Sequence, residues 1–196
     1  MKKNLIVFID SGDTIVDESS EVYNENGDVL RADMITGAHE MIMNLYESGY
    51  RISLVADGRD ASFRNVYEHF GLMHIFEGWI VSEEQKVCKP HPLMFQRAME
   101  ALGLEEKDKH RIVMIGNNLK RDIVGANQMG ITSILLSYSP RYVMQPECEE
   151  EIPDYVAAMP CEIPPLLEQL DLQVKNKRIL EYPPEAKMGC EKWIIL

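Results

Sequence analysis

Short runs of apolar, often β-branched residues recur along this chain, and amphipathic stretches separate them. The runs lie at 4–9, 51–56, 78–82, 111–115, 132–137 and 154–158. This alternation is typical of a parallel sheet, because parallel strands need a long crossover connection that is usually a helix, whereas antiparallel strands can be joined by a tight turn. We therefore expect an α/β fold with a doubly wound, Rossmann-like and mainly parallel sheet, helices on both faces and strand 4–9 at its centre.

The stretches between the runs carry apolar residues at helical spacing. Each pattern is followed by a glycine that can form a left-handed helix cap; these glycines are Gly49, Gly71, Gly103 and Gly130. Leucines within 166–170 predict a closing helix. The helices are thus expected to alternate with the strands along the chain.

The segment 21–34 predicts a β-hairpin. Asn26-Gly27 stands between two half-alternating arms, a pattern that favours a type I′ turn. We expect this hairpin to lie over the carboxyl ends of the strands as a flap. No cap domain is expected, because the segments after Thr14 and after Gly58 are too short to hold one.

The size and composition fit one ordinary domain. Of the 196 residues, 45% are hydrophobic and 27% are charged, which is enough apolar material for a single core. We predict a domain over 1–172 and a C-terminal tail over 173–196.

Charge and cysteine usage restrict the partners and the compartment. The net charge of -12 repels a polyanion, so nucleic acid is not an expected partner. The four cysteines form no C-x-x-C pair and are expected to be reduced thiols. Because the N-terminal apolar run is too short for a signal peptide or a membrane span, we expect a cytoplasmic protein with no membrane partner.

Polar residues follow the carboxyl ends of the predicted strands, where α/β sheets place their functional groups. The first strand leads to Asp10, the second to Asp57, and the fourth to Asn117 and Asp122, while Lys89 begins a Lys-Pro-His-Pro helix start. Any one of these residues is a weak signal, since an aspartate after a strand commonly forms a turn. Together they predict a charged site at one edge of the sheet.

Three motifs of the chain resemble those of the haloacid dehalogenase-like hydrolases, and the likeness runs over about residues 4–160. FIDSGDTIVDE is similar to the family's strand-Asp-x-Asp-x-Thr motif, and KVCKPHPLMFQRAM to its Lys-Pro-x-Pro helix start. VMIGNNLKRDIVGANQMGI is similar to its Gly-Asp-x-x-x-x-Asp segment. Because the motifs follow the family's order, the resemblance implies the family's α/β fold.

The resemblance also implies covalent phosphoryl transfer with Mg²⁺ as cofactor. Asp10 would attack phosphorus to form an aspartyl phosphate that water hydrolyses, and Lys89 would hold the nucleophile and the phosphate together. The metal would be bound by Asp10, the Gly12 carbonyl, Asn117 and Asp122. Asn117 stands where the family has an aspartate, and a neutral oxygen attracts Mg²⁺ less than a carboxylate does. We therefore expect weak metal binding.

One departure from the family concerns proton transfer. The family's phosphatases have a general acid/base aspartate two residues after the nucleophile, and the residue at this position is Gly12. Asp13 could substitute only if Gly12 turns the backbone through a conformation closed to other residues. Loss of a positioned acid/base group costs about 10²–10⁴ in rate, so slow turnover is expected.

Another departure concerns phosphate binding. The family's second motif ends in a hydroxyl residue, and the aligned residue is Ala56. The backbone amides of Asp57, Gly58 and Arg59 could instead form a small anion nest, with the Arg59 side chain either adding charge or pointing into water. His91, near the site, is expected to cap its helix rather than to take part in catalysis.

The sequence therefore favours a slow, Mg-dependent phosphatase that acts through Asp10 on a phosphorylated metabolite or a phosphoprotein. A neighbouring subunit could cover the open site, which leaves a homo-oligomer open. One alternative is a binding or regulatory protein, because Gly12, Ala56 and Asn117 all depart from the family pattern. Another is a metal-independent dehalogenase-type hydrolase, which we favour less because no aromatic residue stands beside Asp10.

Overall fold

Six parallel strands form the main sheet of the computed structural model, which describes residues 3–138 and 141–175. In spatial order they are β5 (Phe76–Val81), β4 (Arg51–Ala56), β1 (Ile6–Ile9), β6 (Ile112–Gly116), β7 (Thr132–Leu136) and β8 (Tyr155–Ala157). All four residues of β1 are fully buried, as expected for a strand covered on both faces. The predicted parallel sheet with β1 near its centre is confirmed.

Helices cover both faces of this sheet. They are α1 (Ala38–Glu47), α2 (Asp60–His69), α3 (Ser82–Gln85), α4 (Pro92–Ala101), α5 (Val124–Met129) and α6 (Ile163–Lys175). Val7 and Ile9 face a core shared with α1, α2 and α6, whereas Ile6 and Phe8 face a core shared with α4 and α5. This alternation follows from the two-residue period of a strand, and it confirms the doubly wound architecture.

An antiparallel hairpin, β2 (Val16–Tyr23) with β3 (Val29–Met34), stands apart from the main sheet. It begins earlier than the predicted segment 21–34, because the polar arm that starts at Val16 lacks the strict alternation by which strands are recognised. The predicted type I′ turn is wrong. Only Gly27 of the Asn26-Gly27 pair has a positive φ, 79°. The Asn24 side chain accepts hydrogen bonds from the amides of Asn26 and Asp28, both at 2.9 Å, and so favours a longer loop.

Hydrogen bonds join the hairpin to α2. The Val29 amide donates to Ser62 Oγ at 2.9 Å, and Asn65 Nδ2 donates to the Val29 carbonyl at 2.8 Å. At the loop, Arg59 Nε lies 3.1 Å from an Asp28 carboxylate oxygen. The hairpin therefore has a fixed position over the carboxyl edge of the sheet. In the described ranges, it takes the place of a cap domain.

The last described helix is bonded to the first strand. One carboxylate oxygen of Asp171, on α6, accepts the amide hydrogens of Asn4 at 2.7 Å and Leu5 at 2.8 Å. α6 confirms the predicted closing helix and continues through Lys175, so residues 173–175 of the predicted tail are helical. The rest of that tail, 176–196, lies outside the described residues, so the division at 172 stays a prediction.

No helix within 3–138 and 141–175 has both the length and the apolar character that crossing a membrane requires.

Candidate active site

The carboxyl ends of β1, β4 and β6 meet at a cavity of about 310 Å³. Asp10 follows β1, Asp57 follows β4 and Asn117 follows β6, and all three line this cavity. The hairpin forms the opposite wall through Val16, Val29 and neighbouring residues. The structure therefore brings these three predicted strand-end residues together at one cavity.

The Lys89 ammonium lies behind the cavity lining, between the carboxylates of Asp10 and Asp122. Its Nζ is 2.7 Å from Oδ1 of Asp10 and 2.7 Å from Oδ1 of Asp122, and it donates to the Val55 carbonyl at 2.8 Å. The Lys89 side chain is only 1% exposed. A cation with this little access to water is held by the carboxylates around it, which fixes the position of Asp10 as well.

Burial and charge act in opposite directions on these groups. Burial alone lowers the pKa of Lys89, but the carboxylates of Asp10, Asp122 and Asp57 outweigh this effect and raise it above its ordinary value. Burial raises the pKa of Asp122, and the Lys89 ammonium opposes that rise. Each of the two groups therefore depends on its partner to remain charged.

Asp122 reaches Lys89 because the chain approaches it closely at Gly116. A Cβ atom on Gly116 would lie 2.7 Å from Cβ of Asp122 and would overlap its carboxyl group. The second carboxylate oxygen of Asp122 accepts the Asn118 amide at 3.0 Å. Both oxygens of this predicted metal ligand thus face nitrogen donors, an arrangement suited to holding Lys89.

Asp13 is not placed as a substitute acid/base. Asp13 itself, not Gly12, adopts the positive φ, 50°. One of its carboxylate oxygens accepts the Glu18 amide at 3.1 Å, and the other is bonded to the Arg141 guanidinium. Asp13 is buried and does not line the cavity, because these two bonds direct its side chain away from Asp10.

The Glu18 carboxyl group occupies the space beside Gly12. A Cβ atom on Gly12 would lie 2.8 Å from Glu18 Cδ and would overlap Oε1, and both residues line the cavity. The pKa of Glu18 is raised, first by burial and then by the negative charges of Asp13 and Glu21, while Arg141 opposes the rise. No pattern in the sequence indicates this contact, since Glu18 belongs to an arm with no clear periodicity.

The predicted phosphate nest is only partly available. The Gly58 amide donates to Ser82 Oγ at 2.9 Å, so it is already used within the protein. Ala56 is fully buried and does not line the cavity, whereas Asp57, Gly58 and Arg59 do. The Arg59 guanidinium binds the Asn26 carbonyl and the Asp28 carboxylate, so it holds the hairpin loop rather than pointing into water.

Arg121 is a cavity residue that the sequence analysis missed. Its guanidinium lies 3.6 Å from the Asp57 carboxylate, donates to the Tyr142 hydroxyl at 2.9 Å and stacks on that ring. Arg121 and Tyr142 both line the cavity. The one available signal was its position directly before Asp122, which places a guanidinium near the carboxyl edge.

The segment that carries Lys89 is packed tightly against α5. A Cβ atom on Gly125 would overlap the Phe95 ring and would lie 3.3 Å from Cα of Pro90. His91 caps α4, with its Nδ1 accepting the Leu93 amide at 3.2 Å, as expected from the sequence. Lys89 is therefore positioned by a rigid helix start.

The oxygen donors around the cavity fit a hard cation such as Mg²⁺. Asp10, Gly12 and Asn117 offer a carboxylate, a backbone carbonyl and a side-chain amide. Asn117 is buried, and its Nδ2 has no hydrogen-bond partner in the described part of the protein. Within the same residues, no three His, Cys, Asp or Glu side chains form a metal cluster. The residues thus fit a cation held by one carboxylate and by neutral oxygens.

The fold and this site agree with comparisons to known proteins. The profile of the haloacid dehalogenase-like hydrolases matches residues 7–136, and the chain belongs to this family. It is 28% identical over 129 residues to a glyceraldehyde 3-phosphate phosphatase of Methanopyrus kandleri, covering 66% of this chain and 54% of the relative. The chain thus spans about half the length of the relatives it matches.

Solved structures show the same fold. An uncharacterized protein from Listeria monocytogenes serotype 4b has a TM-score of 0.68 and 20% identity, with 86% of this chain and 99% of that chain covered. A HAD phosphatase from Thermococcus onnurineus has a TM-score of 0.67 and 18% identity, with 85% and 98% covered. At these identities, the likeness concerns the fold alone.

Proposed function

We propose that this protein is a phosphatase in which Asp10 is the nucleophile and an aspartyl phosphate is the intermediate. The observation that carries the proposal is the Lys89 ammonium, buried between Asp10 and Asp122 at 2.7 Å from each. This ion pair orients the Asp10 carboxylate at the cavity and places a positive charge beside the reacting group. The named relative is a phosphatase, which supports the same chemistry.

In this proposal, each residue near Asp10 has a separate task. The Asp10 carboxylate attacks phosphorus, and the leaving oxygen departs on the opposite side. Lys89 balances the negative charge that the phosphate brings, and Asp122 holds Lys89 in place. The Arg121 guanidinium, at the cavity wall, is placed to attract the phosphate oxygens.

Mg²⁺ is the proposed cofactor, held by the Asp10 carboxylate, the Gly12 carbonyl and Asn117. When bound, it neutralises phosphate oxygens and so favours attack by an anion. Because Asp10 is the one anionic ligand in this set, we expect binding to be weak.

The substrate class proposed is a phosphorylated small molecule, with a phosphoprotein as the alternative. The cavity is lined by charged groups and also by the apolar side chains of Phe63 and Val66. A compact organic phosphate fits both features, and the relative's name, which includes a triose phosphate, points the same way. The proposed location of this activity is the cytoplasm, and a second copy of the chain is a candidate to cover the open side of the cavity.

The test is hydrolysis of p-nitrophenyl phosphate with and without Mg²⁺. The nitrophenolate of this substrate is a good leaving group and needs little help from an acid. We expect Mg²⁺-stimulated turnover and a fall on the order of 10³-fold or more in Asp10→Asn. Asp33→Asn, on the exposed face of β3, is the control that should keep activity. A folded protein with neither turnover nor a trapped phosphoenzyme would overturn the proposal in favour of a binding protein.

A further inference from the structure

Phosphoryl transfer to Asp10 requires a second group that moves protons. An alkoxide leaving group is too basic to depart unaided, and the water that later attacks the intermediate must lose a proton. Asp10 cannot serve here, because it is bonded to phosphorus during both steps. The identity of this second group deepens the proposed function and rests on it.

Most carboxylates near Asp10 are already engaged. Asp122 is fully buried against Lys89, and Asp13 is bonded to Arg141 outside the cavity lining. Asp57 lines the cavity, and its Oδ1 accepts the Lys89 amide at 3.0 Å, whereas its Oδ2, 3.6 Å from Arg121, has no hydrogen-bond partner among the described residues. The bond to the Lys89 amide ties Asp57 to the segment that carries Lys89, so each of the three carboxylates is held by a nitrogen of the protein.

Two more carboxylates, Glu18 and Glu21, line the cavity from β2, and that of Glu21 accepts the Tyr23 hydroxyl. Glu18 is the carboxylate that then remains. It reaches the cavity from β2, its side chain is 33% exposed, and its carboxyl group lies against Gly12, two residues after Asp10. Its other contact in the site is an Arg141 nitrogen at 3.6 Å, which is longer than a hydrogen bond. We propose that Glu18, from the hairpin, is the catalytic proton donor and acceptor of this site.

The two steps then balance. As an Asp10 oxygen bonds to phosphorus and the bond from phosphorus to the leaving oxygen breaks, the Glu18 carboxylic acid gives its proton to that oxygen. The Glu18 carboxylate next takes a proton from water as the water oxygen bonds to phosphorus and the bond to Asp10 breaks. Inorganic phosphate leaves, and Glu18 is again protonated.

The first experiment compares Glu18→Gln with the wild type on two substrates. Glutamine keeps the size of the side chain but cannot exchange the proton. Hydrolysis of glycerol 3-phosphate should fall by about 10²–10⁴-fold. With p-nitrophenyl phosphate, the variant should release close to one nitrophenolate per protein in a burst and then stall, because the phosphoenzyme still forms but loses its base. Glu25→Gln, in the exposed hairpin loop, is the matched control.

A second experiment moves the carboxylate. Glu18→Ala should be as slow as Glu18→Gln, and adding Gly12→Asp should then restore at least tenfold, because the space beside position 12 has been vacated. Gly12→Asp alone should be impaired by overlap with Glu18.

The outcomes separate this inference from the proposed function. No phosphoenzyme in the wild type would refute the function itself. If the wild type is active, two results with Glu18→Gln would refute the role of Glu18 alone. One is normal hydrolysis of both substrates, and the other is loss of both activities without a burst. Absence of any gain in the double variant would contradict the position argued for the carboxylate.

Discussion

Replacing Lys89 with methionine should destabilise the protein through the buried charges at its site. The change removes one positive charge that is 1% exposed and leaves Asp10 and Asp122 facing each other. At 2.7 Å and an effective dielectric constant of about 20, each ion pair contributes about 6 kcal/mol of attraction. Desolvation of the charges offsets much of this, and removal of one partner of a buried pair typically costs about 3–5 kcal/mol. We expect the free energy of unfolding to fall by that amount.

Urea unfolding at pH 7 measures this effect, and a second substitution tests its cause. Asp122→Asn removes the carboxylate that Lys89→Met leaves unpaired, so the double variant should lose at least about 1.5 kcal/mol less than the two single losses together. Lys120→Met is the control. Lys120 pairs with Glu147 at 2.8 Å but is 63% exposed, so its loss should change the free energy of unfolding far less than Lys89→Met does.

The loss should also depend on pH. Burial raises the pKa of Asp122, and without the opposing Lys89 charge the folded-state pKa must rise further above the unfolded value of about 4. A carboxyl group of this kind favours the folded state at low pH and loses that contribution as the pH rises through its folded-state pKa. The gap between wild type and Lys89→Met should thus be smaller at pH 5 than at pH 7. Additive single losses, or a gap that stays constant with pH, would refute the reasoning.

Two further changes test the metal ligands and the packing behind Lys89. Asn117→Asp adds an anionic oxygen to the ligand set and should lower the Mg²⁺ concentration for half-maximal p-nitrophenyl phosphate hydrolysis; an unchanged or higher requirement would exclude Asn117 as a ligand. Gly125→Ala should lower the free energy of unfolding by about 1–3 kcal/mol, because the added Cβ overlaps Phe95 and presses on Pro90, although alanine is the better helix former. A gain in stability in a urea titration would show that this approach is looser than the structure indicates.

The sequence predicted the main sheet because its strands are buried on both faces and therefore appear as continuous apolar runs. The helix ends were also predicted correctly. The glycines expected to form left-handed caps all adopt positive φ values; they are Gly49, Gly71, Gly103 and Gly130. The order of strands and loops predicted a charged site at the carboxyl edge, and the family resemblance implied that Lys89 stands beside Asp10. The charged atoms of these two residues lie 2.7 Å apart.

The features that could not be predicted from the sequence depend on side chains. These side chains either bind residues far away in the chain or compete with the backbone of their own loop for hydrogen bonds. The Arg141 guanidinium binds Asp13 from a segment with no periodicity, so no pattern linked the two. The Asn24 side chain changed the hairpin turn by accepting two amides of its own loop. Glu18 meets Gly12 because the chain turns back after Thr14, and a single sequence does not indicate the register of that turn.

The bonds from Asp171 to the start of β1 have a consequence for how this protein is made. A ribosome synthesises β1 before α6. The amide hydrogens of Asn4 and Leu5 therefore cannot be bonded by the Asp171 carboxylate until residue 171 has left the ribosome. A buried amide without an acceptor costs about 1–3 kcal/mol, and Leu5 is fully buried in the finished fold. In the nascent chain, the strand that positions Asp10 is therefore not held in its final place until Asp171 has been made.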